Sequence, residues 1–294
     1  PVGTANTGIG LSQGKLLFGG NISSQFIDWG HGALDETGEH EGFLNSNIGE
    51  LNFNYGLAED WNLETNLSFG IRKMDFLGRE NDHHRDESRS GIGDLRLTLR
   101  YLSSNVTFGP GTRLFLGGGI ILPSNNTVKK NPFAENVGPH THFDMSEGAI
   151  KYVGEIQYFK RDNSPIVKGG ILKFTSATKE NKYSYKPGYQ LDGIAMFYWQ
   201  TKEILKGIPQ FSFVAQNRGV DHWEGIETPN SGGSIIQGSV GLMWNLDPHH
   251  ITVSLRMPLY QNLNMVKEGS SVDNHAKMWG FSLSYRTIIS LGEE

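Results

Sequence analysis

Charged residues of both signs occupy every second position in several segments of this 294-residue chain. In Asp94-Leu-Arg-Leu-Thr-Leu-Arg-Tyr101, acidic and basic side chains alternate with apolar ones. The charged residues with this spacing are Glu50, Glu64, Arg72, Asp94, Arg96, Arg100, Arg113, Lys151, Glu155, Asp192, Arg256 and Arg286. Opposite charges on one face can form ion pairs with each other, or they can line a polar, anion-biased path. The spacing alone leaves both interpretations open.

Histidines and carboxylates collect in the polar segments between the alternating stretches. The candidate metal ligands there are His31, His40, His83, His84, His140, His142 and Asp144. Imidazole and carboxylate groups without any cysteine suit zinc or copper(II). In His140-Thr-His142-Phe-Asp144, alternate residues would lie on one side of an extended segment. The hypothesis of a metal site built from several loops stands beside a simpler one, in which polar loops collect these residue types by composition.

No arrangement of residues predicts catalysis. His83 lies beside Asp82 and Asp86, as a histidine–carboxylate site would require, but nothing else in the sequence supports such a site. The glycine run 117–119 is not followed by a helical pattern, so it does not predict a phosphate-binding loop. We therefore expect a protein that is not an enzyme.

The alternating stretches predict β-strands, because side chains in a strand point to opposite faces in turn. Residues 90–103 form the clearest one. Its charged face carries Asp94, Arg96 and Arg100, and its other face carries Leu95, Leu97, Leu99 and Tyr101.

The same pattern recurs along the whole chain and predicts twelve strands. They span residues 15–28, 46–56, 61–75, 90–103, 112–123, 147–160, 166–177, 188–201, 208–219, 234–246 and 249–262, and the last begins near residue 277. The connections alternate between tight turns and polar loops of roughly ten to twenty residues. Aromatic residues gather near strand ends, at Tyr55, Trp61, Tyr101, Tyr158, Trp199, Trp244, Trp279 and Tyr285.

An even strand count, alternating connection lengths and aromatic strand ends are typical of a transmembrane β-barrel. We therefore predict an all-β chain that folds as an antiparallel transmembrane barrel of about twelve strands, with short periplasmic turns and long extracellular loops. Residues 15–291 would form the barrel, and the small, glycine-rich residues 1–14 a flexible N-terminal segment. A soluble β-sandwich or lipocalin-like barrel also alternates, but it has no reason to alternate its loop lengths.

The composition agrees with a membrane barrel. Hydrophobic residues make up 37% of the chain and the mean hydropathy is −0.39, which excludes a transmembrane helix but not strands with one polar face. The net charge of −5 argues against nucleic-acid binding. The chain starts at Pro1 without a methionine or an apolar leader, which fits either a removed signal peptide or a numbering that starts late.

Strand residues 90–101, Ser-Gly-Ile-Gly-Asp-Leu-Arg-Leu-Thr-Leu-Arg-Tyr, resemble an outer-membrane family named for the meta-pathway of phenol degradation. This family is distantly related to the long-chain fatty-acid transporters. Asn54-Tyr-Gly-Leu-Ala-Glu-Asp-Trp-Asn-Leu63 and Val253-Ser-Leu-Arg-Met-Pro-Leu-Tyr260 add to the resemblance, which spreads over residues 46–286. It implies passage of small hydrophobic compounds across the outer membrane. In contrast to the fatty-acid transporters, which have a long N-terminal plug, this chain has only about fourteen residues before its first strand.

These patterns lead to one expected function and two alternatives. We expect a bacterial outer-membrane transporter or channel for a small solute, which the resemblance implies to be hydrophobic, in contact with phospholipid and lipopolysaccharide. The first alternative is a protein that binds zinc or copper through its extracellular loops. The second is a closed structural barrel that binds a protein partner in the membrane. We expect most of the charged residues to pair across the interior, because side chains fill the interior of small barrels.

Overall fold

The computed structural model describes residues 9–31, 40–77, 85–104, 111–131, 143–161, 164–200, 202–228, 231–264 and 275–291, without the side chains of His31 and His40. These residues form fifteen strands. Their bounds are β1 Lys15–His31, β2 His40–Gly56, β3 Trp61–Phe76, β4 Glu87–Ser104, β5 Gly111–Leu122, β6 Lys151–Arg161, β7 Ile166–Ala177, β8 Tyr185–Lys186, β9 Gln190–Trp199, β10 Ile208–Arg218, β11 His222–Trp223, β12 Ile226–Glu227, β13 Gly233–Leu246, β14 His249–Leu263 and β15 His275–Ser290.

Twelve of these strands close into one antiparallel barrel. The order around it is β1-β15-β14-β13-β10-β9-β7-β6-β5-β4-β3-β2, and the remaining strands β8, β11 and β12 form a small separate sheet. The first and last barrel strands pair from Lys15 with Ser290 to Gly30 with His275, which closes the barrel. The prediction of a twelve-stranded antiparallel barrel is therefore confirmed.

The short connections all lie at one end of the barrel and the long ones at the other. We call the short-turn end periplasmic and the long-loop end extracellular, as in outer-membrane barrels. Several strands run further toward the extracellular end than predicted: β2 begins at His40 and β4 at Glu87. Beyond the bilayer both faces of a strand meet water, so the apolar alternation that marked the strands ends before the backbone pairing does.

The two faces of the barrel wall have opposite character. On β6, Tyr152, Ile156 and Tyr158 point outward and are about half exposed, while Glu155 and Gln157 point inward and are buried. The same arrangement of apolar outside and polar inside holds along the other barrel strands. A soluble barrel would have the reverse arrangement, so the outward apolar surface requires hydrocarbon around it. The protein is a transmembrane β-barrel of the bacterial outer membrane.

Aromatic side chains cover the outward surface near the strand ends. Trp61 and Tyr101 pair at the periplasmic ends of β3 and β4, with ring centroids 5.0 Å apart. Phe174 and Tyr189 stack near the extracellular ends of β7 and β9, with centroids 6.2 Å apart. Such rings are suited to the boundary between lipid and water. Within the described residues, the structure contains no helix long and apolar enough to cross a membrane.

The barrel wall is uneven in height. Strands β5, β6, β7, β9 and β10 have 10–12 residues, and we call them the short side. The other seven have 14–18 residues and form the long side. A tilted strand needs about 9–11 residues to cross the bilayer. The short side therefore ends near the lipid headgroups, whereas the long side continues into the external water.

The membrane setting can be tested by a charge on the outward face of β4. Leu97 lies at mid-strand, opposite Thr65 and Ile120. We expect Leu97→Arg to lower the free energy of unfolding by about 2–4 kcal/mol, because it places a cation in hydrocarbon. The measurement is a urea titration of the protein in phospholipid vesicles.

The matched control is Leu57→Arg. Leu57 is exposed in the turn after β2, near the membrane surface, so the same change should cost only about 0–1 kcal/mol there. Equal losses for the two variants would contradict the assignment of this face to lipid.

Candidate functional site in the barrel lumen

A buried arginine between two glutamates forms the centre of the lumen. The Arg100 guanidinium on β4 makes ion pairs with Glu64 of β3 and with Glu155 of β6, and all three side chains are at most 5% exposed. Arg100, Gly117 and Glu155 are register neighbours on β4, β5 and β6. A Cβ atom at Gly117 would come within 2.6 Å of Glu155 Cγ. Glycine at 117 therefore leaves the space through which the glutamate meets the arginine.

Further polar residues extend this cluster along the wall. Arg96 Nη2 lies 3.1 Å from Glu64 Oε1 and donates to Asn66 Oδ1 at 2.6 Å. The amide of Asn66 in turn donates to Asn52. On β6, Gln157 Nε2 donates to Glu155 Oε1 at 3.1 Å. The buried charges thus have several partners each, which offsets the cost of removing them from water.

A second ion pair lies on the short side. Lys173 Nζ of β7 is 3.1 Å from Asp192 Oδ2 of β9. Asp192 also accepts hydrogen bonds from the amides of Gln190 and Gln216. Lys173 therefore points into the lumen, while Lys168 on the opposite face is exposed near the periplasmic end of β7, where both faces meet water.

These pairs do not cross the barrel as expected. Their members lie on strands that are adjacent or separated by one strand, so the ion pairs run along the wall from β3 to β9. The opposite wall carries small neutral side chains such as Ser254 and Ser282, whose hydroxyls are 2.6 Å apart, and Ser284, which donates to Asn21 at 2.7 Å. Among the described residues, the charged side chains of this opposite wall, Arg256 and Arg286, occupy other positions on β14 and β15. The ion pairs of the charged wall are thus formed within that wall.

The remaining predicted lumen residues have other surroundings. Asp94 pairs with Lys151 at 3.3 Å, and Arg72 Nη1 donates to the Asp144 carbonyl oxygen at 2.8 Å. The others lie outside these clusters: Arg113 near the periplasmic start of β5, Arg256 on β14 within electrostatic range of Glu50, and Arg286 on β15 within range of Tyr198. The structure thus brings most, but not all, of the predicted charges together.

Residues 143–150 fold over the extracellular end, and we call them the extracellular cap. Phe143 and Ala149 are buried, and Glu147 pairs with Lys151 at 2.8 Å and with Arg218 at 2.6 Å. Although burial opposes it, the nearby Lys151 and Arg218 lower the pKa of Glu147. The cap is therefore held to β6 and β10 by charge.

The small sheet supports the same region. Asp221 accepts a hydrogen bond from the Tyr185 hydroxyl at 2.8 Å and one from the Gly188 amide at 2.8 Å, and it pairs with Arg218. Burial and the Asp221 carboxylate raise the pKa of the Tyr185 phenol. The sequence does not single out these three residues: Glu147 and Arg218 stand at the extracellular ends of the predicted strands 147–160 and 208–219, and Asp221 lies in the loop that follows the second of them.

The N-terminal segment, residues 9–14, fills the periplasmic end. Ile9 and Leu11 pack with Leu17 of β1, and Leu11 is 2% exposed. Asn62 donates to the Leu11 carbonyl at 3.1 Å and accepts from its amide at 3.5 Å. The flexibility of the N-terminal segment stays a prediction, while Ile9 and Leu11 of this segment contact an apolar surface inside the barrel. Residues 1–8 lie outside the described part of the chain.

The lumen surface around this segment is apolar. A Cβ atom at Gly10 would lie 3.2 Å from the Leu102 side chain and 3.7 Å from the Phe115 ring. Phe159, Ile171 and Met196 form a second buried cluster, with Ile194 and Tyr198 packed against it. The alternation of polar and apolar residues in the sequence did not indicate these apolar lumen residues, because at these positions the inward side chains are apolar like the outward ones. The described periplasmic part of the lumen therefore has apolar areas beside buried polar side chains such as Asn54 and Asn62, whereas the middle of the lumen is polar.

The predicted metal ligands are not brought together by the described residues. His83, His84, His140 and His142 lie outside these residues, as do the side chains of His31 and His40. Asp144 is described, and its carbonyl oxygen accepts the bond from Arg72. No group of three histidine, aspartate or glutamate side chains in the described ranges could hold a metal ion. The zinc or copper site stays a prediction.

The Arg100 cluster can be tested by removing its cation. Arg100→Met removes the cation that Glu64 and Glu155 share, so we expect a loss of about 3–5 kcal/mol in the free energy of unfolding. Adding Glu155→Gln should restore much of it, because the side chain at 155 is then uncharged and Glu64 keeps its ion pair with Arg96. Urea titrations measure both effects, with Arg113→Met as the control. A stable single variant, or a double variant no better than the single one, would argue against the pairing.

The extracellular cap should open in acid. The ordinary pKa of a glutamate is 4.5, and that of Glu147 is lowered. Its contribution to stability is therefore present above the ordinary value and is lost as the pH falls through the lowered one. We expect amide-exchange protection of residues 143–150 to fall between about pH 7 and about pH 3. Glu147→Gln should lack this protection already at about pH 7, whereas Glu203→Gln, at an exposed site, should behave as wild type. Equal protection in all three proteins would contradict the role of Glu147.

Solved structures with a similar fold are outer-membrane barrels. An outer membrane channel from Pseudomonas putida F1 is 13% identical to this chain, and the match covers 98% of this chain and 99% of that one with a TM-score of 0.69. A mutant of the TodX monoaromatic hydrocarbon channel is 8% identical over 95% and 91% of the two chains, with a TM-score of 0.48. The beta domain of the Bordetella autotransporter BrkA is 11% identical over 92% and 99%, with a TM-score of 0.46.

At these identities the first likeness shows the fold alone, and the other two TM-scores are too low to add to it. No protein-family model matches the chain, and no curated protein matches it in sequence. The resemblance to the phenol-degradation family therefore stays a prediction. The chain has the fold of an outer-membrane β-barrel.

Proposed function

We propose that the protein is a gated conduit for a small, partly apolar solute across the outer membrane, and that the N-terminal segment closes its periplasmic end. The observation that carries this proposal is how that segment is held. Asn62 and a few apolar contacts fix residues 9–11 inside the barrel, while the wall around them is continuously hydrogen-bonded. Such a segment can leave without breaking the barrel.

The lining of the lumen suits a solute with both polar and apolar parts. Charged and amide groups such as Arg96 and Asn66 lie in the middle of the barrel, where they bond to each other and would exchange these bonds for bonds to a solute. Toward the periplasm lie the apolar side chains of Phe115, Met196 and Phe159, which are buried in this structure. Release of the N-terminal segment would uncover Phe115, which lies beside Gly10. A small aromatic compound with a hydroxyl group has this combination, and the resemblance to the phenol-degradation family favours the same class. The name of the Pseudomonas putida protein, an outer membrane channel, supports transport through this fold.

The same proposal keeps the expectation that the protein is not an enzyme. The polar groups of the lumen are engaged in ion pairs and amide bonds, and the Arg100 cluster pairs a cation with two carboxylates. In that cluster no nucleophile lies beside a base, as catalysis of hydrolysis requires.

A closed structural barrel is the second candidate. The burial of Arg100 and its partners favours it, because a cluster with so little exposure stabilises the wall whether or not a solute passes. A closed structural barrel predicts that releasing the N-terminal segment does not change the rate at which a solute crosses the membrane.

The two candidates differ in the result of releasing the segment. Leu11→Asn places an amide in the apolar contact with Leu17, and a loss of about 2 kcal/mol would raise the open fraction about thirtyfold. We expect faster entry of a phenol-sized solute into proteoliposomes and more frequent current steps in planar bilayers. Leu57→Asn, at an exposed turn residue near the same end, is the control and should behave as wild type. No passage through either variant would favour the closed barrel.

A further inference from the structure

Four exposed lysines lie at the extracellular end of the short side. They are Lys129, Lys130, Lys179 and Lys182, and we call them the basic patch. None of the four has an ion-pair partner within the part of the chain that the structure describes. Lys182 Nζ lies 5.0 Å from the Tyr183 ring centroid, which leaves its charge open to solvent. The exposed Glu180 lies between Lys179 and Lys182 in sequence, so the region carries four positive charges and one negative charge. It is a local excess of positive charge on a chain whose net charge is −5.

The two lysine pairs belong to loops that meet. A Cβ atom at Gly148 would lie 2.6 Å from Thr127 Oγ1 and 2.8 Å from Asn181 Nδ2. Asn181 also donates to the Glu147 carbonyl at 3.1 Å. Lys129 and Lys130 follow Thr127 closely, and Lys179 and Lys182 flank Asn181. The extracellular cap therefore joins the two loops and brings the four cations to one region of the rim.

The lengths of the short-side strands place the basic patch at the membrane surface. Strands β5, β6, β7 and β9 have 10–12 residues, about the number that crosses a bilayer. Lys179 comes five residues after the lipid-facing Phe174, which stacks on Tyr189 at the boundary. The lysines thus lie where the headgroups of the outer leaflet begin.

An apolar groove lies in the outward face of the barrel wall, on the periplasmic side of the basic patch. Its volume is about 490 Å³, and its floor is formed by the small residues Gly170, Gly193, Ala195 and Ala215. Larger side chains border it on both sides, among them Leu172 and Phe213. Leu172 precedes Phe174 by two residues on the same face of β7, so the groove continues from the aromatic pair away from the basic patch.

We infer that the basic patch and the groove together bind one phosphorylated glycolipid of the outer leaflet, with its phosphates on the lysines and an acyl chain in the groove. Cations at the headgroup level match phosphate charge. An apolar depression bordered by bulky side chains matches a flexible alkyl chain. The site lies on the outside of the barrel and is independent of the proposed conduit.

The test is binding of diphosphoryl lipid A to the refolded, lipid-free protein in detergent, followed by native mass spectrometry. Lys179→Gln/Lys182→Gln should bind about thirtyfold more weakly, or about fivefold for each lysine. Lys73→Gln/Lys277→Gln removes two exposed lysines from the long side and should leave the affinity unchanged. Circular dichroism confirms that each variant is folded.

A groove variant tests the acyl chain. A Cβ atom at Gly193 meets only the Ala215 carbonyl oxygen, at 3.9 Å, so the backbone there accepts a side chain, and the ring of Gly193→Phe would occupy the groove. It should weaken lipid A binding severalfold and leave the lysines intact.

Four outcomes would overturn the inference. An equal loss of lipid A affinity in the two double lysine variants would show that lipid A is attracted to positive charge anywhere on the surface. Competition by millimolar inorganic phosphate as strong as that by lipid A would show an anion site without a lipid. Full affinity of Gly193→Phe, or of wild type for dephosphorylated lipid A, would show that head and chain do not bind together.

Discussion

Hydrocarbon cannot hydrogen-bond a peptide group, and the rest of this structure depends on that constraint. It requires the sheet to close, which it does where β1 pairs with β15. Closure then divides the residues of each strand between lipid and lumen. Charged side chains on the lumen side must find partners among themselves, and Arg100 meets this need by binding Glu64 and Glu155. The interior cluster is thus a consequence of how the wall is built.

The segments that lie at the two ends of the lumen are held in different ways. The extracellular cap is held by charge, through Glu147 with Lys151 and Arg218. The N-terminal segment is held mainly by apolar contacts around Leu11. Charge responds to pH and salt, whereas apolar contacts respond to an apolar competitor. A solute with an apolar part would compete with Leu11 for the same surface, which links the chemistry of the solute to the opening of the conduit.

The sequence alone was sufficient to predict the fold, because lipid and lumen impose opposite polarity on alternate residues such as Leu99 and Arg100. It also identified most members of the ion pairs. The sequence could not predict which charged residues form ion pairs with each other. The register that sets Gly117 between Arg100 and Glu155 depends on how the strands pair. Nor could it place the N-terminal segment, since residues 9–14 carry only two large apolar side chains and no periodicity.

The most direct test of the gated conduit is a reversible cross-link of its N-terminal segment. The chain contains no cysteine, and a Cβ atom at Gly10 would lie 3.2 Å from the end of the Leu102 side chain. Cysteines are therefore placed at these two positions, and loss of free thiols on oxidation confirms that the disulfide has formed. Solute entry into proteoliposomes is then compared under oxidising and reducing conditions. The account predicts no entry while the disulfide is closed and recovery on reduction. Entry through the oxidised protein, or none after reduction, would contradict it.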